Sequence, residues 1–156
     1  QIKKLNKKRN IKAVLLGLLV ALIISFIWFN SFLDTTDSNK LSDIILNWLC
    51  PNRGESNGGD ASFWIRKAAH FIEFAVLGGA IGTIAVFMQN NFGKYFAGFS
   101  LFAVLSVAVI DEFIQSFSDR SSSVIDILID FGGAIFGLCL SVAILVFFKY
   151  IKSKKK

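Results

Sequence analysis

Four ionisable side chains, Arg66, Lys67, His70 and Glu73, stand close together at the start of a long apolar run. At helical spacing Arg66, His70 and Glu73 share one face, and Lys67 lies beside His70. Each charge held at the centre of a bilayer costs roughly 2.5–3.5 kcal/mol on insertion scales, and less towards the interface. A membrane helix that keeps these charges therefore needs partners for them elsewhere in the chain.

Several kinds of chemistry are open to this stretch. His70 with Glu73, joined by Asp111 or Glu112, has the ligand types of a Zn²⁺ or Mg²⁺ site. A carboxylate partner would also allow His70 to act as a general base on an envelope lipid. However, one histidine is few for zinc, nearby cations repel a metal, and no serine nucleophile adjoins His70 in sequence. We therefore expect no metal and no cofactor, and the sequence favours a binding protein over an enzyme.

The cations allow a third kind of site. Arg66, Lys67 and Arg120 together could bind an anion, and the anions nearest a membrane interface are lipid phosphates. Alternatively, these cations only neutralise acidic groups within the bundle and fix the register of its helices. The acids outnumber the cations in this part of the sequence, which favours a binding site over a purely structural network.

The composition predicts the elements that carry these residues. The chain has 156 residues, of which 54% are hydrophobic, and its apolar residues come in long blocks. A helix needs about 20 apolar residues to cross a hydrocarbon core. Four blocks are long enough, at about residues 13–33, 66–88, 95–117 and 124–148. We therefore predict an all-α, polytopic membrane protein, in which a single domain over residues 1–156 forms a bundle of four transmembrane helices.

The polar segment after the first span contains one further predicted element. Its apolar residues recur with the spacing of one helix face, and Pro51 ends the pattern. Such a helix is too short to cross the membrane, so we expect a short amphipathic helix on the membrane surface in the first outer loop. The apolar face consists of Leu41, Ile44, Ile45, Trp48 and Leu49.

The charge distribution predicts the orientation. Most of the 17 Lys and Arg residues lie in the two terminal segments, next to membrane spans. The positive-inside rule then places both termini in the cytoplasm of a multi-pass protein of the cell membrane. Aromatic residues do not interleave with the N-terminal lysines, so we expect membrane lipids and no nucleic acid as partners. The sequence predicts no particular oligomeric state.

This topology brings the acidic groups to one side of the membrane. All 11 Asp and Glu residues fall in the outer loops or in the outer halves of spans two to four. Asp111 and Asp130 each lie about 9 Å inside their spans at 1.5 Å per residue. We therefore predict a polar pocket open to the outer surface. A transporter or channel is disfavoured, because the inner halves of these spans carry almost no charge.

Small residues continue the acidic stripe of the fourth span. Asp126, Asp130, Gly133 and Gly137 follow one another on one helix face. The Gly-x-x-x-Gly spacing allows two membrane helices to approach closely, and Gly78 and Gly82 repeat it in the second span. The acids should therefore point into the bundle and away from lipid.

Two blocks of this sequence combine charged, aromatic and small residues in a fixed order. The first block reads Arg66-Lys67-x-x-His70-Phe71-x-Glu73-Phe74-x-x-Leu77-Gly78. The second reads Asp111-Glu112-Phe113-x-Gln115-x-Phe117-x-x-Arg120, followed by Asp126, Gly133 and Gly137. In this order the two blocks resemble the VanZ-like membrane proteins, and the resemblance extends over roughly residues 64–138. The chain departs from the family pattern at Ser118-Asp119, where a Pro-Gly pair is common, and at Asp130, where asparagine is frequent.

The resemblance implies a function in the bacterial envelope. The family is associated with lowered susceptibility of Gram-positive bacteria to teicoplanin and related lipoglycopeptides. We accordingly expect an outer-leaflet pocket that binds an anionic envelope molecule, such as a lipid phosphate or a glycopeptide. The functional positions implied by the resemblance are Lys67, His70, Glu73, Asp111, Glu112, Gln115, Arg120 and Asp126, to which the charge pattern adds Arg66 and Asp130.

Overall fold

Four long helices make up nearly all of the computed structural model, which describes residues 2–32, 40, 44–45, 47–48, 58–93, 97–117 and 123–154. They are α1 (Ile2–Ser31), α2 (Gly58–Phe92), α3 (Ala97–Gln115) and α4 (Val124–Lys154). Each contains a segment long and apolar enough to cross a bilayer, and the described ranges contain no strand. The predicted all-α architecture with four membrane-length helices is confirmed.

The predicted surface helix falls largely outside the described residues. Ile44, Ile45, Asn47 and Trp48 are helical, and the apolar side chains among them are exposed. The other positions of the segment between 41 and 49 lie outside the described part of the chain. The amphipathic surface helix therefore stays a prediction.

Local signals set the helix ends inside the bundle. Gly93 follows α2 with a φ of 65°, a left-handed conformation that favours glycine, and its N–H donates to the Gln89 carbonyl at 3.0 Å. Ser123 precedes α4, and its hydroxyl accepts a hydrogen bond from the Ile125 N–H at 3.2 Å. The serine thus satisfies one of the first N–H groups of α4, as expected of an N-cap residue.

The pairing of α2 with α4 is the most extensive contact between helices. A Cβ atom built on Gly137 would overlap the carbonyl of Ala75, and one on Gly78 would overlap the carbonyl of Ala134. The backbones therefore touch along both Gly-x-x-x-Gly stripes, as the sequence predicted. Gly133 of α4 also approaches Phe71 of α2, and Leu138 of α4 approaches Gly82 of α2. Later residues of α4 thus contact later residues of α2, so the two helices run parallel.

Helix α1 packs less extensively against the other helices than α2 and α4 pack against each other, and most of its large apolar side chains point outward. Among the apolar side chains of α1 that the structure describes, Ile27 alone is fully buried, against a core that includes Phe74, Leu77 and Val104. Outward-facing Leu, Ile and Phe are expected of a helix surrounded by lipid. The polar contacts of α1 therefore add to a limited apolar packing.

The two basic ends of the chain lie at the same end of the bundle. Arg9 donates to the carbonyl of Asn91 at 3.4 Å and its guanidinium stacks 4.6 Å from the ring centre of Phe92. Lys149 donates to the side chain of Asn90 at 2.7 Å. The beginning of α1 and the end of α4 thus both meet the end of α2, as an even number of crossings requires.

Labelling of introduced cysteines in intact cells with a membrane-impermeant reagent checks which end of the bundle faces outward. In a background with Cys50 and Cys139 replaced by serine, a cysteine at exposed Ser116 should react with an impermeant maleimide. A cysteine at exposed Gln89, at the basic end, should react only after the membrane is permeabilised. The opposite pattern would contradict the expected cytoplasmic termini.

Candidate functional site

Asp111 is the centre of the polar groups inside the bundle. Its side chain has no exposed surface. One carboxylate oxygen, Oδ1, accepts a hydrogen bond from the Ser31 hydroxyl at 2.6 Å, and Oδ2 accepts one from the Gln115 amide at 2.9 Å. The Nδ1 atom of His70 lies 3.8 Å from the same Oδ2. Asp111 therefore connects side chains of α1, α2 and α3.

Asp130 brings the fourth helix to the same place. It is 1% exposed, and it lies one turn before the glycine contacts that hold α4 against α2. His70, Asp111 and Asp130 each place one nitrogen or oxygen of the metal-ligand type within 4.8 Å of the other two. We call Ser31, His70, Asp111, Gln115 and Asp130 the polar cluster. All four helices contribute to it.

The contribution of α1 is the part that the sequence analysis missed. Ser31 is fully buried on Asp111, and Asn30 donates to Glu73 Oε1 at 2.8 Å. The Glu73 carboxylate is thus hydrogen-bonded to a side-chain amide of α1. The one signal in the sequence was an Asn-Ser pair ending an apolar run, which is equally typical of a helix end at the membrane interface.

Lys67 and Asp126 form the ion pair between α2 and α4. Lys67 Nζ contacts Asp126 Oδ1, and the two side chains are 19% and 26% exposed. The ammonium group also lies 4.6 Å from the ring centre of Phe63. The pair is one instance of a cation neutralised by an acidic group within the bundle. The pair is partly shielded from solvent, so it is screened less than a surface pair.

Glu112 is placed as a link between helices. It is 4% exposed, and its Oε1 accepts a hydrogen bond from the N–H of Ser123, the residue that caps α4. A carboxylate at a helix start is stabilised by the exposed N–H groups there. Glu112 therefore connects the end of α3 to the start of α4.

Arg66 does not take part in these contacts. Arg66 is half-buried and forms no hydrogen bond or ion pair with the residues that the structure describes. Arg120 lies outside the described residues. The structure thus gathers His70, Asp111, Gln115 and Asp130 in the polar cluster and joins Lys67 to Asp126. A ligand-binding role of all these positions stays a prediction.

An apolar cleft of about 290 Å³ lies between α1 and α2. Leu22 and Phe26 line it from α1, and Ile72 and Val76 line it from α2. These four side chains are all exposed, so the cleft opens towards the surroundings of the bundle. Glu73 lies on its wall, one helical turn from His70. The cleft therefore adjoins the polar cluster.

Four membrane-length helices that enclose a polar cluster define a multi-pass membrane protein. The family model described as VanZ/LLP1 matches residues 7–148, which is nearly the whole chain and contains most of each of the four helices. The chain belongs to the VanZ/LLP1 family. No curated protein and no solved structure matches it.

Proposed function

We propose that this protein binds an anionic amphiphile of the cell envelope and thereby lowers susceptibility to teicoplanin and related lipoglycopeptides. The anionic head would sit at the polar end of the bundle, and the apolar chain would occupy the cleft between α1 and α2. Membership of the VanZ/LLP1 family supports the link to lipoglycopeptides. The position of Glu73 on the cleft wall, one helical turn from His70 of the polar cluster, is the observation that carries the proposal.

The cleft supports an apolar chain as one part of the ligand. Its exposed wall is made of aliphatic and aromatic side chains within the membrane-length parts of α1 and α2. An acyl or isoprenoid chain entering sideways from the lipid would leave no polar group unsatisfied there. A free glycan or a soluble anion would gain nothing from such a surface.

The arginines support an anionic head. Arg66 lies one helical turn before His70 and has no hydrogen-bond or ion-pair partner among the described residues. Its guanidinium group can therefore bind a ligand. Its planar fork suits two oxygens of a phosphate or carboxylate. Lys67 adds a second positive charge that Asp126 positions. Arg120, between the third and fourth helices in sequence, is the third cation expected at this end.

A membrane enzyme with His70 as general base is the second candidate. The observation that favours it is Asp111 Oδ2, which lies 3.8 Å from His70 Nδ1 and could orient the ring and stabilise its charged form. This candidate requires conversion of a bound lipid into a product. Chromatography of a lipid recovered after incubation with the protein separates the two functions, because a binding protein returns the lipid unchanged.

The test of the proposed function replaces arginine by lysine. Arg66→Lys and Arg120→Lys keep the positive charge but lose the two-point geometry. Each should weaken binding of a fluorescent alkyl phosphate in detergent by about 5–10-fold, equivalent to roughly 1–1.4 kcal/mol. Each should also raise teicoplanin susceptibility in a Gram-positive host. Val76→Trp, which fills the cleft, should weaken binding of the same probe.

Matched controls separate these effects from general damage. Lys149→Gln removes a cation at the opposite end of the bundle, and Leu15→Trp introduces the same side chain on α1 outside the cleft lining. Both should bind the probe like the wild type. A neutral alkyl alcohol of equal length should bind more weakly than the phosphate. Wild-type behaviour of both arginine variants in both assays would refute the anionic head, and an unaffected Val76→Trp would refute the cleft.

A further inference from the structure

We infer that His70, Asp111 and Asp130 form a binding site for a divalent transition-metal cation, with Zn²⁺ as the best match. The inference does not depend on the proposed lipid ligand. It differs from the metal set that the sequence suggested, because Glu73 is bound by Asn30 and the third ligand comes from α4. It also opposes our sequence-based expectation of no metal.

The spacing of the three side chains suits one shared ion. Their ligand-type atoms lie within 4.8 Å of one another, and His70 Nδ1 is 3.8 Å from Asp111 Oδ2. Two ligands at about 2.0–2.2 Å from one ion are roughly 3.3 Å apart in a tetrahedral site and up to about 4.4 Å apart across an octahedral one. To reach a tetrahedral geometry, the most distant pair of ligand atoms would have to approach by up to roughly 1.5 Å, which rotation of the side chains can supply.

Asp130 supplies an observation independent of this spacing. It is 1% exposed, and its Oδ2 atom is buried without a hydrogen-bond partner among the described residues. A buried carboxylate oxygen with no donor loses its hydration without replacement, which is costly for an ionised group. A cation between Asp130 and Asp111 would supply the missing interaction and offset the repulsion between the two carboxylates.

The surroundings of Asp111 are those of an oriented ligand. Ser31 and Gln115 each donate a hydrogen bond to one of its oxygens, which fixes the plane of the carboxylate. Hydrogen bonds of this kind commonly hold metal-ligating carboxylates in position. Each carboxylate oxygen keeps a further lone pair that a metal can use.

The ligand types favour zinc over the harder cations. One imidazole and two carboxylates are a mixed nitrogen and oxygen set, whereas Mg²⁺ and Ca²⁺ prefer oxygen alone. Three protein ligands leave a fourth position for water or for an oxygen of a bound molecule, as in open zinc sites. Mn²⁺ accepts similar ligands and is the natural competitor.

Titration of the full-length protein with Zn²⁺ tests the site. The protein is purified in detergent with Cys50 and Cys139 replaced by serine, so that no thiol competes for zinc, and is stripped with a chelator. Calorimetry should then show saturable binding of about one Zn²⁺ per chain, and zinc should raise the melting temperature. His70→Gln and Asp130→Asn should each weaken zinc binding by at least about tenfold, with Mn²⁺ titrated in parallel.

The matched control is Glu112→Gln, which removes a buried carboxylate of α3 that does not belong to the three ligands. It should keep the zinc affinity within about twofold. Circular dichroism establishes that each variant is folded. Absence of saturable binding by the folded wild-type protein overturns the inference, whether or not the variants fold. Equal affinity in wild type and Asp130→Asn also overturns it, since the zinc would then bind elsewhere.

Discussion

Gly137→Ala is expected to destabilise the bundle by at least about 3 kcal/mol. A methyl group at this position would overlap the carbonyl of Ala75, which belongs to the backbone of α2 and cannot rotate away. Overpacking of ordinary side chains costs about 1–3 kcal/mol, and a rigid backbone obstacle should exceed that range. The two helices must separate, which also weakens the Lys67–Asp126 pair. Thermal unfolding in detergent, followed by circular dichroism, measures the loss.

Gly132→Ala provides the matched control five residues earlier on α4. A Cβ atom there has no neighbour within 4 Å, so the same substitution meets open space. Alanine is favoured over glycine in a helix by roughly 0.5–1 kcal/mol, and this variant should be as stable as the wild type or slightly more stable. Similar losses in both variants would show that the α2–α4 contact is not as close as described.

Asp111→Ala should have the second-largest effect, a loss of about 2–5 kcal/mol. The change takes away the acceptor used by both the Ser31 hydroxyl and the Gln115 amide, at a cost of about 1–3 kcal/mol for each buried donor. It also removes the hydrogen bond by which Ser31 joins α1 to α3. Because α1 has little buried apolar surface, we expect α1 to loosen first. A cysteine introduced at Ile27, which is fully buried, should then become reactive towards a membrane-permeant maleimide.

Two further variants test whether the hydrogen bonds cause this loss. Asp111→Asn keeps the shape and one oxygen acceptor, and it should retain most of the stability in protein without added metal. Ser31→Ala should cost about 1 kcal/mol alone and almost nothing when Asp111 is already alanine, because contacting residues are not additive. Fully additive losses in the double variant would refute the coupling of α1 to α3 through these two side chains.

The sequence was sufficient to predict the features that depend on length and periodicity. Apolar runs of about 20 residues are long enough to predict membrane helices without knowledge of their partners. The glycine spacing on the second and fourth spans predicted the close contact, because only small residues allow it. The common depth of Asp111 and Asp130 followed from counting residues from the span ends. The need of each charge for a partner indicated that the cations pair with acidic groups, and the Lys67–Asp126 pair is one such case.

The remaining contacts depend on how each helix is rotated about its own axis. The first span is apolar on all sides, so its sequence does not determine which side meets the bundle. The sequence therefore did not predict that Ser31 bonds to Asp111 or that Asn30 bonds to Glu73. The link from Glu112 to Ser123 was missed for a different reason, because it depends on how the chain turns between α3 and α4. Neither effect leaves a periodic signal in the sequence.

The parallel pairing of α2 with α4 also constrains how the protein is made. The partner of Lys67 lies 59 residues further along the chain, and the glycine contacts have a similar separation. At about 5–20 residues per second, a ribosome needs roughly 3–12 s to supply it. During this interval α2 is already synthesised while its charged end and its glycine stripe lack their final neighbour. This incomplete state lasts until α4 has been synthesised and inserted. Because Lys67 lies near the start of the membrane-length segment of α2, its ammonium group can reach water in the meantime.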